Sequence, residues 1–270
     1  QAMSKRETDT EGLSAEARRA LFAQLLRERK GKPESHPVSF AQQRMWFIDR
    51  FGAEAAYNVP LALRLTGRLD VAALERSLTE ILERHEILRA TFTHSDGPPK
   101  QVIAASARLD LPVVDLSAIP EAERESEAWR LSTEETERTF DLANGPLIRA
   151  RLLRLGAMEH VFLVTMHHIV SDGWSVGVFS RELAGLYQAF STGQPSPLPG
   201  LPIQYADFAR WQRNALRGEA LDKLLAYWKR QLADLPVLEM PKDRPRPREG
   251  SFRGSWQSKV FPRTLTEGLK

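Results

Sequence analysis

The chain has 270 residues, 42% of them hydrophobic, and a formal net charge of +3, which is enough apolar content for one large domain or two lobes. Lys plus Arg number 38 against 35 for Asp plus Glu, an excess too small to point to nucleic acid. There is no cysteine, which excludes a disulfide framework and a cysteine-ligated metal site and is compatible with a reducing compartment.

No run of about 18 apolar residues occurs, and the opening QAMSKRETDTEGLS lacks the apolar core of a signal peptide. The expected location is therefore cytoplasmic, with no membrane partner. Basic residues cluster in RERKGK (Arg27 to Lys32) and KDRPRPRE (Lys242 to Glu249), which read as solvated linkers.

Residues 1–36 read as a leader. Ser14 to Lys30 form an amphipathic helix, with Ser14 as N-cap and Leu21, Phe22, Leu25 and Leu26 on one side, that packs on the body or docks a neighbour. GKPESHP then breaks the chain. From Ser39 to Gly52 a helix offers Phe40, Met45, Trp46 and Phe47 to the core, and YNVPLALRLTG alternates as a strand. Asp70 caps the next helix, whose Ala73, Leu74, Leu78, Ile81 and Leu82 recur at three- and four-residue intervals.

A strand pair follows around RATFTHSDGPPKQVI, with SDGPP as its turn. LPVVDLS is a short strand and EAERESEAWRLSTEETERTF a charged surface helix. PLIRARLLRLG and EHVFLVTMHHIV are neighbouring strands joined at Gly156; the second is so apolar that it belongs in the middle of a sheet covered on both faces. The helix WSVGVFSRELAGLYQAFSTG stops at Gly193, and the Pro-rich QPSPLPGLP marks a boundary between lobes. Two helices, QYADFARWQRNAL and EALDKLLAYWKRQL, and a last strand, GSWQSKVFP, complete the pattern.

The stretch VTMHHIVSDGWSVGVF places His167 and His168 side by side, two of only six histidines, shortly before Asp172 and Gly173. Side chains on a strand alternate faces, so the pair cannot share one site while the strand continues. Zinc would want His at i and i+4 on a helix, or i and i+2 on a strand, with further ligands; neither spacing is present, and no metal is expected. The histidine that faces a cleft is available as a general base or hydrogen-bond acceptor. Two satisfied core histidines beside a helix-capping aspartate are the alternative by spacing alone.

HHIVSDG has the HHxxxDG pattern of the condensation domains of nonribosomal peptide synthetases, which are similar to chloramphenicol acetyltransferase and other CoA-dependent acyltransferases. In family order, SFAQQRMWF resembles the first condensation motif, RHEILRATF the second, MHHIVSDGWS the third and YADFARWQ the fourth. The resemblance covers the chain from about Pro37 onward. It implies an α/β fold: a chloramphenicol acetyltransferase-like lobe with a central mixed sheet flanked by helices over residues 37–200, then inter-lobe helices and the start of a second similar lobe over 201–270. Much of that second lobe is expected to lie outside this sequence.

The resemblance further implies amide formation between thioesters carried on the phosphopantetheine arms of donor and acceptor carrier domains, beside neighbouring synthetase domains such as adenylation domains or a polyketide synthase module. No cofactor is bound by the domain itself. The family's catalytic histidine maps onto His168, and His167 takes the structural face. Asp172 matches the family aspartate that pairs with an arginine; Arg84 or Arg89 could be that partner, and Gly173 could present its N–H near the reacting carbonyl or serve the backbone alone. A carrier-binding or docking module without turnover, and an acyltransferase using soluble acyl-CoA, are the other readings.

Overall fold

In the computed structural model the described residues are 34–52, 54–94, 97–243, 245 and 259–269. The leader helix at Ser14 to Lys30 lies outside them, as does most of the segment expected as the last strand, of which 259–262 are irregular. No described helix is long and apolar enough to cross a membrane.

The element order begins β1 (Glu34–Pro37), α1 (Phe40–Asp49), β2 (Asn58–Thr66), α2 (Val71–Arg84), β3 (Ala90–Thr93), β4 (Lys100–Ile103) and β5 (Val113–Asp115). It continues α3 (Glu121–Glu137), β6 (Ile148–Gly156), β7 (Glu159–His167), α4 (Gly173–Ser191), α5 (Tyr205–Ala215), α6 (Glu219–Gln231) and α7 (Arg263–Gly268). The main sheet has order β2-β7-β6-β5, antiparallel except for the parallel pair β5/β6, and β1-β4-β3 form a small antiparallel sheet. This is the expected mixed sheet flanked by helices. GKPESHP does more than break the chain, because its second half is β1, an edge strand on β4.

β7 is buried over nearly its whole length and lies between β2 and β6. Its residues divide by parity. Phe162, Val164 and Met166 join the main core with Leu152, Ile148 and the buried faces of α2 and α4, whereas Val161 and Leu163 join Leu153, Leu155 and the α3 residues Ala128 and Leu131. Pro60 is accommodated in β2 because that strand is an edge, with one side of its backbone unpaired.

Asp70 caps α2 by accepting from the Ala73 amide at 3.0 Å, and Ala73, Leu74, Leu78, Ile81 and Leu82 are all buried. α3 is mostly charged and exposed, yet it covers one sheet face, and Glu135 near its end is buried against Arg149 at 2.5 Å. On α1 the expectation holds for Met45 and fails for Phe47, which is 57% exposed and rests on Phe51. Phe40 lies at the surface under the Arg213 guanidinium, 4.1 Å from its ring centre.

Phe162 is fully buried at the centre of the main core. Phe162→Ala is expected to destabilise the fold by about 3–5 kcal/mol, because the neighbouring strands cannot collapse onto the cavity it leaves; urea unfolding of the full chain measures this.

Candidate functional site

β7 ends at His167, and the backbone turns immediately: the Val170 amide donates to the His167 carbonyl at 3.0 Å, and the Ser171 hydroxyl donates to the same oxygen at 3.1 Å. The His168 amide donates to the Tyr57 carbonyl at 2.8 Å, so strand-like pairing reaches one residue past β7. Alternation therefore persists through the pair. His168 continues the parity of Phe162, Val164 and Met166, and His167 that of Val161 and Leu163.

His167 is 1% exposed. Its Nδ1 accepts from the Ile169 amide at 3.0 Å, which places the ring proton on Nε2 and marks a neutral imidazole. Burial, with His168 beside it, pushes its pKa down to about 4. Such a ring is enclosed by the fold and lies off the cavity wall.

His168 is exposed at the wall of a cavity of about 490 Å³. Its Nδ1 lies 2.6 Å from the Ser171 carbonyl oxygen, an acceptor, so Nδ1 carries the proton and the Nε2 lone pair is left for a ligand. A backbone carbonyl thus fixes both tautomer and ring orientation. The cavity is mainly apolar, walled by Met45 of α1, Ile81 of α2, Met166 of β7 and Phe179 of α4, with Ile203 and Phe208 closing it from the segment around α5.

Asp172 departs from expectation. Its carboxylate accepts from the Ser175 amide at 2.8 Å and the Ser175 hydroxyl at 2.7 Å, and Ser175 Oγ accepts from the Asp172 amide, a capping box at the start of α4. These bonds hold its pKa below the ordinary carboxylate value. Neither proposed arginine is its partner. Arg84 pairs with Glu182 at 3.1 Å and donates to the Pro199 carbonyl, while Arg89 donates to the Ala105 carbonyl at 3.1 Å. Both lie outside the cavity lining, whereas Asp172 lies on it. The reason is reach: the C-terminal turn of α2 is drawn to α4 through Glu182, not to its N-terminus.

Gly173 is the first residue of α4 and is not on the cavity wall. A Cβ there would meet nothing within 4 Å, so close approach does not account for the glycine. Trp174 and Trp211 are 81% and 64% exposed, and Trp174 lies on the cavity wall.

The structure adds residues that sequence patterns alone passed over. His85, in the second motif, lines the cavity with its Nε2 2.7 Å from Glu182 Oε2. Gln42 and Arg44, in the first motif, line it as well. The motifs are joined by side chains: Ser39 Oγ lies 3.0 Å from Tyr205 Oη, Arg213 donates to the Val38 carbonyl at 2.7 Å, and Gln204 donates to the Arg84 carbonyl at 2.9 Å and accepts from the Glu86 amide at 3.2 Å. Their polar residues at distant positions were the available signal.

An open cavity with a tautomer-fixed imidazole, set on a mixed α/β sheet, defines a site able to take a proton from a nucleophile beside an apolar group. The condensation domain family matches residues 32–270, and the chain belongs to that family. It is 47% identical over 234 residues, 86% of its length, to chondramide synthase cmdD of Chondromyces crocatus, of which it spans 6%. Among solved structures it resembles the X-domain in a complex with OxyB from teicoplanin biosynthesis, with 35% identity, TM-score 0.68, and coverage of 80% of this chain and 47% of that one. The starter condensation domain of rhizomide synthetase RzmA shares the fold at 21% identity and TM-score 0.67, covering 75% of this chain and 49% of that one. The chain thus spans about half the length of these solved domains.

Asp172→Ala is expected to cost about 1 kcal/mol of stability and Asp172→Asn less, since an amide oxygen still caps the helix; paired thermal melts check this. His167 sets a pH dependence. Between its ordinary value of 6.5 and about 4, the unfolded chain binds a proton that the folded chain refuses, so stability falls as pH drops through that window. Denaturant titrations at pH 7, 5.5 and 4 are expected to show the fall, with a shallower slope for His167→Asn; a residual slope comes from His160, whose pKa burial also lowers.

Proposed function

We propose that this chain carries the histidine-bearing lobe of an amide-forming condensation domain in a nonribosomal peptide synthetase. The donor acyl or peptidyl group and the acceptor aminoacyl group arrive as thioesters on carrier-borne phosphopantetheine. The acceptor's α-amine attacks the donor carbonyl, a C–N bond forms and the C–S bond breaks. His168 Nε2 accepts a hydrogen bond from the amine, takes its proton as the bond forms, and returns it to the departing sulfur.

The observation that carries this reading is the His168 tautomer, held by the Ser171 carbonyl with Nε2 unbonded among the described residues at the wall of the cavity. An α-amine titrates at about 7.7–8.0, so it is partly neutral before it binds. Holding amine and carbonyl together then supplies much of the rate gain, with His168 orienting the nucleophile and collecting its proton. Asp172 contributes by capping α4 and fixing the turn that presents His168, and Gly173 only by starting that helix.

A docking module without turnover is the second reading. It draws support from the resemblance to an X-domain found in a complex with OxyB. The two separate in one experiment. Loaded donor and acceptor carriers are mixed with the complete condensation domain that contains this chain, and amide product is followed by mass spectrometry. His168→Ala is expected to lower product formation by about 100-fold or more, with a melting temperature close to wild type because the side chain is exposed. Equal product in both proteins overturns the role of His168; no product in either, with carrier binding retained, favours the docking module.

A further inference from the structure

The part of the cavity wall that a ligand can reach is apolar. Trp174, Leu201, Ile203 and Phe208 line it and are between 37% and 81% exposed, whereas Ile81 and Met166 line it from the core and are nearly enclosed. Single apolar side chains at a protein surface are ordinary. These are gathered on one concavity of about 490 Å³, a size that small ligands fill. Trp174 comes from the first turn of α4, and Ile203 and Phe208 from the segment around α5, so the concavity is bounded by two separate elements.

The polar side chains on the same wall are mostly engaged. His85 is bonded to Glu182, Tyr205 to Ser39 and Asp172 to Ser175, while Gln204 accepts from the Glu86 amide and donates to the Arg84 carbonyl. Arg44 is exposed on the wall and pairs with no carboxylate among the described residues. His168 locates the group that fills the apolar surface. In the reaction proposed above its Nε2 accepts from the acceptor's α-amine, and an amino acid's side chain springs from the carbon about 1.5 Å from that nitrogen. The acceptor side chain therefore begins inside the cavity that His168 lines. We propose that Trp174, Leu201, Ile203 and Phe208 form the side-chain subsite for the acceptor aminoacyl group, and that this subsite takes an uncharged aliphatic or aromatic side chain. This rests on the condensation reading of the same site. A large apolar side chain gains there by leaving water, whereas a lysine ammonium loses its hydration beside a carboxylate that Ser175 already occupies.

The test gives the complete condensation domain that contains this chain one donor-loaded carrier, and an acceptor carrier loaded in turn with leucine, phenylalanine, alanine, glutamate or lysine. Initial rates of amide formation at subsaturating acceptor are read by mass spectrometry. Leucine and phenylalanine are expected to exceed alanine about tenfold or more, and lysine about 100-fold or more. Ile203→Asp places a carboxylate at an exposed position on the wall, and is expected to lower the leucine-to-lysine ratio about 100-fold. Trp174→Ala is expected to lower the phenylalanine-to-alanine ratio about tenfold. Ratios taken within one protein cancel any difference in folded fraction.

Equal rates from all the acceptors, or ratios that both substitutions leave unchanged, overturn the subsite. Condensation still stands in that case wherever His168→Ala abolishes the product, and the exposed apolar residues are then a packing surface for another part of the domain. Glutamate used at the rate of leucine also overturns the subsite, and makes Arg44 the group that anchors the acceptor. A wild-type domain that forms no amide from any acceptor overturns the condensation reading and the subsite together.

Discussion

The site depends on the pairing of β7 with a neighbour on each side. β2 and β6 lock its register from one end to the other, Asn58 opposite His167 and Ile148 opposite Met166. A slip of one residue would exchange every side chain between the faces of the sheet. Register therefore decides which of two adjacent histidines is entombed and which meets solvent. The apolar side chains of β7 commit both faces to cores, so the choice is made by the burial of the whole strand rather than by the histidines themselves.

A second set of interactions gathers distant segments around the end of β7 into the wall of the open cavity. Ser39 with Tyr205, Arg213 with the Val38 carbonyl, Gln204 with the end of α2, and Glu182 with both Arg84 and His85 tie together segments far apart in sequence. Most of these bonds are partly buried, where a pair lost on one side leaves its mate unsatisfied. The short polar motifs are thus the fastenings of the cavity as well as its lining. The Pro-rich connection after α4 lies across the end of α2, with Pro199 accepting from Arg84 and Leu198 packed on the core.

Electrostatics and hydrogen bonding set two fixed groups on either side of one open to the cavity. His167 is held neutral by burial, and Asp172 is held charged by the amide and hydroxyl of Ser175. Both serve the turn between β7 and α4, one from each side. His168, between them, keeps an Nε2 lone pair because the hydrogen bond to its ring falls on Nδ1.

Strand alternation, helix periodicity, the Asp70 cap and the four ordered motifs were legible in the sequence, because each depends on neighbours within a few residues or on a local pattern. These determined the mixed α/β sheet, the buried strand β7 and the opposite fates of His167 and His168. Tertiary structure alone decided the partners. Asp172 closes onto Ser175 three residues away while Arg84 reaches Glu182 on the far part of α4, and no spacing rule distinguishes one carboxylate from another for an arginine. The same holds for Phe47, whose apolar character promised burial although the surface beside it leaves it exposed. Local physics fixes what a residue can do; only the folded surroundings decide what it meets.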